Sequence, residues 1–232
     1  MTTNESFPKF DLPVDFIADD SITGDILNYY GNFPCKIKAG VFVLCTEGMV
    51  RATINLLEIV IRKNDFIVVL PNSFIQIHEV SSDTRISFAG FSSDFMLSGN
   101  YVEILLDFMP MILNSPVISL QEDVAGLYRN VYLLLIRAYT LPHSLENKEI
   151  IRSVLAIFLQ GTKELYKRYG KKLDEPLRRE QELYRQFIQL LMVHYTKEHE
   201  VAFYAEKCGV TAAHFSSAIR RASGYSPLAI IT

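Results

Sequence analysis

Two hydrophobic periods divide the chain, and the first is that of strands. From about Lys36 to Phe91, short apolar runs alternate with polar turns. In the stretch VRATINL, at 50–56, apolar and polar residues alternate, as expected of a strand with one buried face. The runs VFVLC and DFIVVL are apolar apart from the initial Asp65, which is typical of strands covered on both faces. The pattern predicts a small barrel or a sandwich.

After Phe91 the period becomes helical. One stripe contains Val124, Leu127, Tyr128, Val131, Leu134 and Leu135, and a second contains Ile150, Ile151, Val154, Leu155, Phe158 and Leu159. Pro142 separates the two predicted helices. The second helix runs into the charged stretch KELYKRYGKKLDEPLRR, whose Gly170 and Pro176 predict a linker between domains. A third amphipathic helix follows, with an apolar side made of Leu183, Phe187, Leu190 and Leu191.

The stretch YAEKCGVTAAHFSSAIRRASGYSP, at 204–227, has the pattern of a helix-turn-helix. Ala205 is small enough for close packing, Gly209 can take the left-handed conformation that ends a helix, and Thr211 can cap the next one. We expect an inner face made of Val210, Phe215, Ala218 and Ile219, and an outer face made of Ala212, Ala213, His214, Ser217, Arg220 and Arg221. Such an outer face suits base edges and phosphates in a major groove. An ordinary αα-hairpin whose glycine only ends a helix is the alternative.

Charge and composition give limited information about binding partners, cellular location and the state of the cysteines. The 232 residues carry a formal net charge of -3, so any attraction to nucleic acid must come from a local patch. The N-terminus lacks the pattern of a secretion signal and no apolar run approaches the length of a membrane span, so we expect a cytoplasmic protein without a membrane partner. Cys35, Cys45 and Cys208 fit neither a disulfide framework nor a zinc cluster and are expected to be free thiols.

No group of residues predicts catalysis or metal binding. The strand-rich region has one histidine, His78, which is a weak candidate for a ligand-binding residue and a poor metal ligand, because one side chain cannot hold an ion. Cys45 lies in an apolar strand, where burial raises the pKa of a thiol and makes it inert. Motifs for a catalytic triad or a phosphate loop are absent from the sequence. We therefore expect no enzyme activity, no cofactor and no metal.

The stretch VAFYAEKCGVTAAHFSSAIRRASGYSP resembles the first helix-turn-helix of the AraC-type bacterial transcription regulators. The matching features are Ala205, Gly209, Thr211, the pair Phe215-Ser216 and the terminus Gly224-Tyr225-Ser226-Pro227. The preceding ELYRQFIQLLMVHY resembles the first helix of the same domain, and KNDFIVVLPNSFIQIH resembles part of the family's cupin-type sensor barrel. The resemblance implies an α+β protein with a cupin-like β-barrel at 1–120, a helical linker and dimerisation segment at 121–175, and a partial DNA-binding domain at 176–232.

The resemblance further implies a homodimeric DNA-binding regulator whose barrel senses a small-molecule effector through a population shift. Its DNA-binding residues would be Thr211, Ala212, Ala213, His214, Ser217, Arg220 and Arg221. Family members carry a second helix-turn-helix after a long connecting helix, and this sequence ends at Thr232, about where that helix would begin. We therefore expect weak, strongly salt-dependent DNA binding by the chain as given. The alternative is a small-molecule-binding or protein-interaction module without DNA-binding activity, and the strands could equally enclose a pocket or fill a solid core.

Overall fold

The protein consists of two compact units, at Lys9–Lys172 and Leu173–Thr232, which are described separately below. The structure is a computed structural model. It describes residues 9–25, 27, 34–97, 101, 108–109, 111–113, 115–140, 148–169, 179–194, 197–223 and 226–231. Pro142, the predicted linker around Gly170 and Pro176, and Gly224-Tyr225 lie outside the described residues. The α+β fold class is confirmed, with strands in the first unit and helices in both.

The described strands of the N-terminal unit form two five-stranded sheets. The first sheet contains, in spatial order, β1 (Lys9–Phe10), β3 (Cys35–Ile37), β8 (Ser73–Val80), β5 (Met49–Ile54) and β6 (Leu57–Arg62). The second contains β10 (Val117–Ser119), β7 (Asp65–Val69), β4 (Gly40–Glu47), β9 (Arg85–Phe91) and β2 (Phe16–Thr23). Neighbouring strands pair antiparallel, except that β1 and β3 are parallel.

The two sheets do not close into the predicted barrel. They share one aliphatic core, with Val50, Ala52, Ile54 and Ile61 from the first sheet and Cys45, Ile67, Val69 and Ile86 from the second. Closure would require a continuous hydrogen-bonded ladder around the unit, whereas among the described strands β6 and β10 each end a sheet. The strand pattern alone predicted either a barrel or a sandwich, and the described strands form a sandwich.

Aromatic side chains join the second sheet to two helices, α2 (Glu122–Thr140) and α3 (Lys148–Tyr169). The Phe158 ring of α3 lies 4.8 Å from that of Phe42 on β4, and the Tyr128 ring of α2 lies 5.0 Å from that of Phe66 on β7. Every residue of β7 is buried. The prediction that the DFIVVL run is covered on both faces is therefore confirmed. A short helix, α1 (Ser93–Leu97), follows β9.

The helical stripe predicted for α2 is only partly buried. Tyr128 and Leu135 are buried as expected, but Leu127 and Leu134 are 62% and 56% exposed. The buried side of α2 is completed by Ala125 and Tyr132 instead. Because a single helix face meets the sheet, the outermost positions of a broad apolar stripe remain in solvent.

Strand β5 ends earlier than the alternation in VRATINL predicts, since Asn55 and Leu56 form a two-residue turn to β6. Their φ angles are 46° and 79°, the left-handed values that a tight hairpin of this length requires. The Asn55 side chain accepts a hydrogen bond from Phe74 N at 2.9 Å and donates one to Ser73 Oγ at 3.0 Å. Leu56 thus lies in a turn that Asn55 attaches to β8.

The C-terminal unit is helical and is centred on one phenylalanine. Its helices are α4 (Arg179–His194), α5 (Val201–Lys207), α6 (Ala212–Ser223) and α7 (Pro227–Ile231). The Phe187 ring of α4 meets those of Tyr204 and Phe215 edge to face, at centroid distances of 5.3 and 5.1 Å. The predicted apolar side of α4 is buried at three of its four positions, and the fourth, Leu190, is half-buried. In the part of the chain that the structure describes, no helix combines the length and apolar character needed to cross a membrane.

Candidate nucleic-acid interface

The turn between α5 and α6 is a glycine-ended helix terminus of the Schellman type. Gly209 has a φ of 69°. Its N–H donates to Glu206 O at 2.9 Å, and the N–H of Val210 donates to Ala205 O at 3.1 Å. This pair of bonds closes the end of a helix only when the residue between them is left-handed. The predicted role of Gly209 is therefore confirmed.

Helix α6 begins with the predicted cap. Thr211 Oγ1 accepts a hydrogen bond from the N–H of His214 at 3.2 Å, which satisfies one of the free donors of the first turn. Phe215, Ala218 and Ile219 are each at most 1% exposed, so the expected inner face is buried at these three positions. Val210 was expected to be buried as well, but it is only half-buried. Its position in the turn, before α6 begins, leaves part of its side chain in solvent.

The seven residues predicted to contact DNA share the opposite side of this unit, and all seven are exposed or partly exposed. Arg221 is held along the helix, because its Nη1 donates to Ser217 Oγ at 3.1 Å. Its Nη2 also lies 3.6 Å from Glu180 Oε1 at the start of α4. Both partners of this ion pair are partly exposed, so water and salt weaken it and the guanidinium can exchange Glu180 for another anion.

The chemistry of the exposed side of α6 is uneven. Arg220 and Arg221 supply permanent positive charge near its C-terminal end. At its N-terminal end, Ala212 and Ala213 offer methyl groups that can contact apolar base atoms but cannot form hydrogen bonds. Ser217 has a single hydroxyl, which already accepts from Arg221. The surface is better suited to phosphates than to the hydrogen-bonded reading of bases.

Glu180, which meets this surface through its ion pair with Arg221, was not predicted from the sequence. It lies in the first turn of α4, where acidic residues are common because they complement the helix dipole. That local role gives no indication of its ion pair with an arginine on another helix. Only the packing of α4 against α6 brings the two charges together.

His78 and Cys45 lie in the strands of the N-terminal unit, whereas Cys208 caps the end of α5, directly before Gly209. His78 lies on β8, where its Nε2 is 2.7 Å from Thr53 Oγ1. Within the described ranges, no three His, Cys, Asp or Glu residues are grouped so as to hold a metal ion. Burial, aided by the negative charge of Asp65, raises the pKa of Cys45 to about 11. Burial also raises the pKa of Cys208 to about 11, so both are protonated at neutral pH.

Gly209→Ala is expected to destabilise the C-terminal unit by about 1–2 kcal/mol, the cost of a left-handed conformation for a residue with a side chain. Apart from Gly209 and its two chain neighbours, no described residue has an atom within 4 Å of the place where an alanine Cβ would sit, so the cost is conformational and not steric. Urea unfolding of the full chain, followed by circular dichroism, measures it. Gly209→Asn should lose less stability, because asparagine tolerates this conformation better. Equal stability of the wild type and the Ala variant would contradict the prediction.

Comparisons with known proteins find distant structural likeness only. No protein-family model matches the sequence, and no curated protein matches it either. Among solved structures, ToxT from Vibrio cholerae aligns with 94% of this chain and 98% of its own, at 11% identity and a TM-score of 0.37. The AraC-like transcriptional activator CuxR aligns with 84% of this chain and 65% of its own, at 8% identity and a TM-score of 0.44. Such values are too low to transfer a function or a residue role to this chain.

Proposed function

We propose that this protein is a DNA-binding transcriptional regulator of the AraC type and that α6 is its recognition helix. The observation that carries the proposal is the two-sided character of α6. Phe215, Ala218 and Ile219 are buried within the unit, whereas the opposite side is open to solvent and ends in two arginines. A capped helix that follows a Schellman turn and presents an exposed face ending in two arginines has the form that enters a major groove.

Some residues of α6 would contact phosphates and others would contact base edges. Arg220 and Arg221 would contact phosphates, with His214 close to phosphates or to neighbouring bases. The base edges would meet Ala212, Ala213 and Ser217. A good bidentate base contact gives about 1–3 kcal/mol of discrimination, and this face has no side chain in a position to supply one without giving up a phosphate contact. Binding would therefore depend mainly on charge, and its affinity would fall steeply with added salt.

The sandwich of the N-terminal unit would bind a small, largely apolar effector. Val41 and Val43 lie on the side of β4 that faces the first sheet, and both are only half-buried although β4 is the central strand of its sheet. Half-buried aliphatic side chains from the first sheet surround the core at this level, including Ile59, Ile75 and Ile77. This observation also favours the second candidate function, a ligand-binding module without DNA-binding activity.

The helices of the N-terminal unit would supply a contact between two copies. Leu127 and Leu134 lie one heptad apart on α2 and are more than half exposed, and Ile157 of α3 is 70% exposed. Large apolar side chains left in solvent on neighbouring helices are typical of a protein-protein contact. A homodimer would present two copies of α6 to one duplex.

The DNA proposal is tested by replacing Arg220 and Arg221 together with alanine. Binding of fluorescein-labelled mixed-sequence duplexes would be measured by anisotropy over a series of salt concentrations. Each phosphate contact contributes about 0.9 to the slope of log affinity against log salt, so the double variant should lose about 2 from that slope. Its affinity at low salt should fall by about tenfold or more.

The matched control is the double variant Lys167→Ala and Arg168→Ala, which removes the same charge from the last turn of α3. It should bind DNA as the wild type does. If the two double variants lose equal affinity, binding follows net charge and α6 is not the recognition helix. If the wild type binds no duplex even at low salt, the ligand-binding module without DNA activity is the better description.

A further inference from the structure

Strand β6, with the sequence LEIVIR, is an edge of the first sheet among the described strands. Its exposed side chains carry opposite charges at the two ends of the strand. Glu58, Val60 and Arg62 are exposed, whereas Leu57 and Ile59 are half-buried and Ile61 is buried. The exposed side of the strand thus reads acidic, apolar, basic. Val60 at its centre is 38% exposed.

The hydrogen-bonding phase of β6 turns the N–H and C=O groups of Glu58 and Val60 away from β5, toward this edge. In a hairpin with a two-residue turn, the pair that flanks the turn is hydrogen-bonded, and such pairs then alternate with non-bonded ones. Here Ile54 pairs with Leu57 and Arg51 with Val60, so the N–H and C=O of Val60 point away from β5. Arg62 obeys the same alternation, since its N–H donates to Asp65 Oδ2 at 2.7 Å and not to its register partner Met49.

Among the residues that the structure describes, the edge of β6 is also open. A cleft of about 420 Å³ runs beside it, with β6 on one side and the segment at 115–119 on the other. Glu58, Val60 and Arg62 all line this cleft. An exposed edge with an apolar centre is a template for pairing with another strand.

We infer that a second copy of this chain adds to this edge, with its β6 antiparallel to the first. A two-fold axis at Val60 places Val60 of one copy opposite Val60 of the other. The same axis places Glu58 of each copy opposite Arg62 of the other, so two opposite-charge pairs flank an apolar pair. The order acidic, apolar, basic is therefore complementary to itself in this one antiparallel register, as a closed two-fold contact requires.

This contact is separate from the helical contact proposed above through Leu127, Leu134 and Ile157, and it does not depend on DNA binding. A chain that uses both two-fold contacts would assemble beyond a dimer. The variant Ile157→Glu is therefore the background of choice, because it removes the helical contact and leaves β6 unchanged. The Ile157→Glu chain, in which β6 is unchanged, is expected to form dimers.

Charge reversal tests the register directly. In the Ile157→Glu background, Glu58→Lys places a lysine opposite Arg62 of the other copy, and Arg62→Glu places a glutamate opposite Glu58, so each variant alone opposes like charges. Sedimentation equilibrium should show dimerisation weakened by about tenfold or more in each. An equimolar mixture of the two variants should recover the dimer as a heterodimer, because both flanking pairs then join opposite charges. One pair joins the introduced lysine to the introduced glutamate. The other joins the native Glu58 to the native Arg62. The doubly reversed chain, E58K/R62E, should recover it as a homodimer.

The matched controls are Glu79→Lys and Arg85→Glu, which make the same charge changes at exposed positions on β8 and β9. Neither should alter dimerisation, and circular dichroism should show that all variants remain folded. The inference is wrong if the Ile157→Glu chain is monomeric at every concentration at which it remains soluble. It is equally wrong if the single reversals dimerise as well as their parent, or if their mixture does not recover the dimer.

Discussion

Phe187→Ala is expected to unfold most of the C-terminal unit while leaving the N-terminal unit folded. The Phe187 ring is fully buried and lies between those of Tyr204 and Phe215, so it joins α4 to both helices of the helix-turn-helix. Removing a buried phenylalanine side chain costs about 3–5 kcal/mol. At about 0.05–0.15 kcal/mol per residue, a unit of this size has a total stability of about 3–9 kcal/mol. One substitution thus removes a large part of it.

Hydrogen exchange followed by mass spectrometry reads the two units separately in the full chain. Amide protection should be lost across 179–194 and 197–223 and retained in the strands of the N-terminal unit. Gln186→Ala, at the adjacent exposed position of α4, is the control and should change protection little. Phe187→Leu should fall between the two, because most of the buried volume remains. Full protection of α6 in the Ala variant would mean that Phe187 does not hold the unit together.

Phe158→Ala is expected to have a similar effect on the N-terminal unit. The Phe158 side chain is 2% exposed, and its ring lies within 4.8 to 6.0 Å of four others, those of Phe42, Phe66, Tyr128 and Tyr132. These rings belong to β4, β7 and α2, so Phe158 is where α3 meets both the sheet and the other helix. The loss should be about 3–5 kcal/mol, with the removed ring contacts included in that cost.

Differential scanning calorimetry of the full chain measures this loss. The transition of the N-terminal unit should move to lower temperature, while protection of α6 from hydrogen exchange should stay the same. Gln160→Ala, at an exposed position of α3, is the control and should leave the transition in place. An unchanged transition in the Phe158 variant would show that the helices add little to the stability of the sheet.

Local patterns predicted most of the elements, because their signals lie within a few residues. The continuous apolar run at Asp65–Val69 indicated a strand covered on both faces, and all five residues are buried. Gly209 and Thr211 indicated where one helix ends and the next begins, since left-handed backbone and helix capping depend on neighbouring residues. Strands β1, β2 and β10 were missed, because in KF, FIADDSIT and VIS the apolar alternation is too short or too interrupted to stand out.

At the candidate interface, too, the features with a local sequence signal were predicted and those without one were not. Its outward and inward positions followed from the helical period, and the buried residues Phe215, Ala218 and Ile219 agree with it. The ion pair between Glu180 and Arg221 did not follow, because nothing local links an acidic first turn on α4 with the far end of α6. Roles of the exposed residues in DNA binding remain predictions until the salt titration is done.

The amino-acid sequence by itself determined the class of most segments, the turn at Gly209 and the two faces of α6, because periodicity and turn chemistry act over one or two helical turns or strand pairs. Only the tertiary structure decided that the described strands form two facing sheets and not a closed barrel, that Leu127 and Leu134 stay in solvent, and that the symmetrical strand LEIVIR lies at an edge. These features depend on which elements become neighbours. That choice is made by the packing of whole faces, and it leaves no local signal in the sequence.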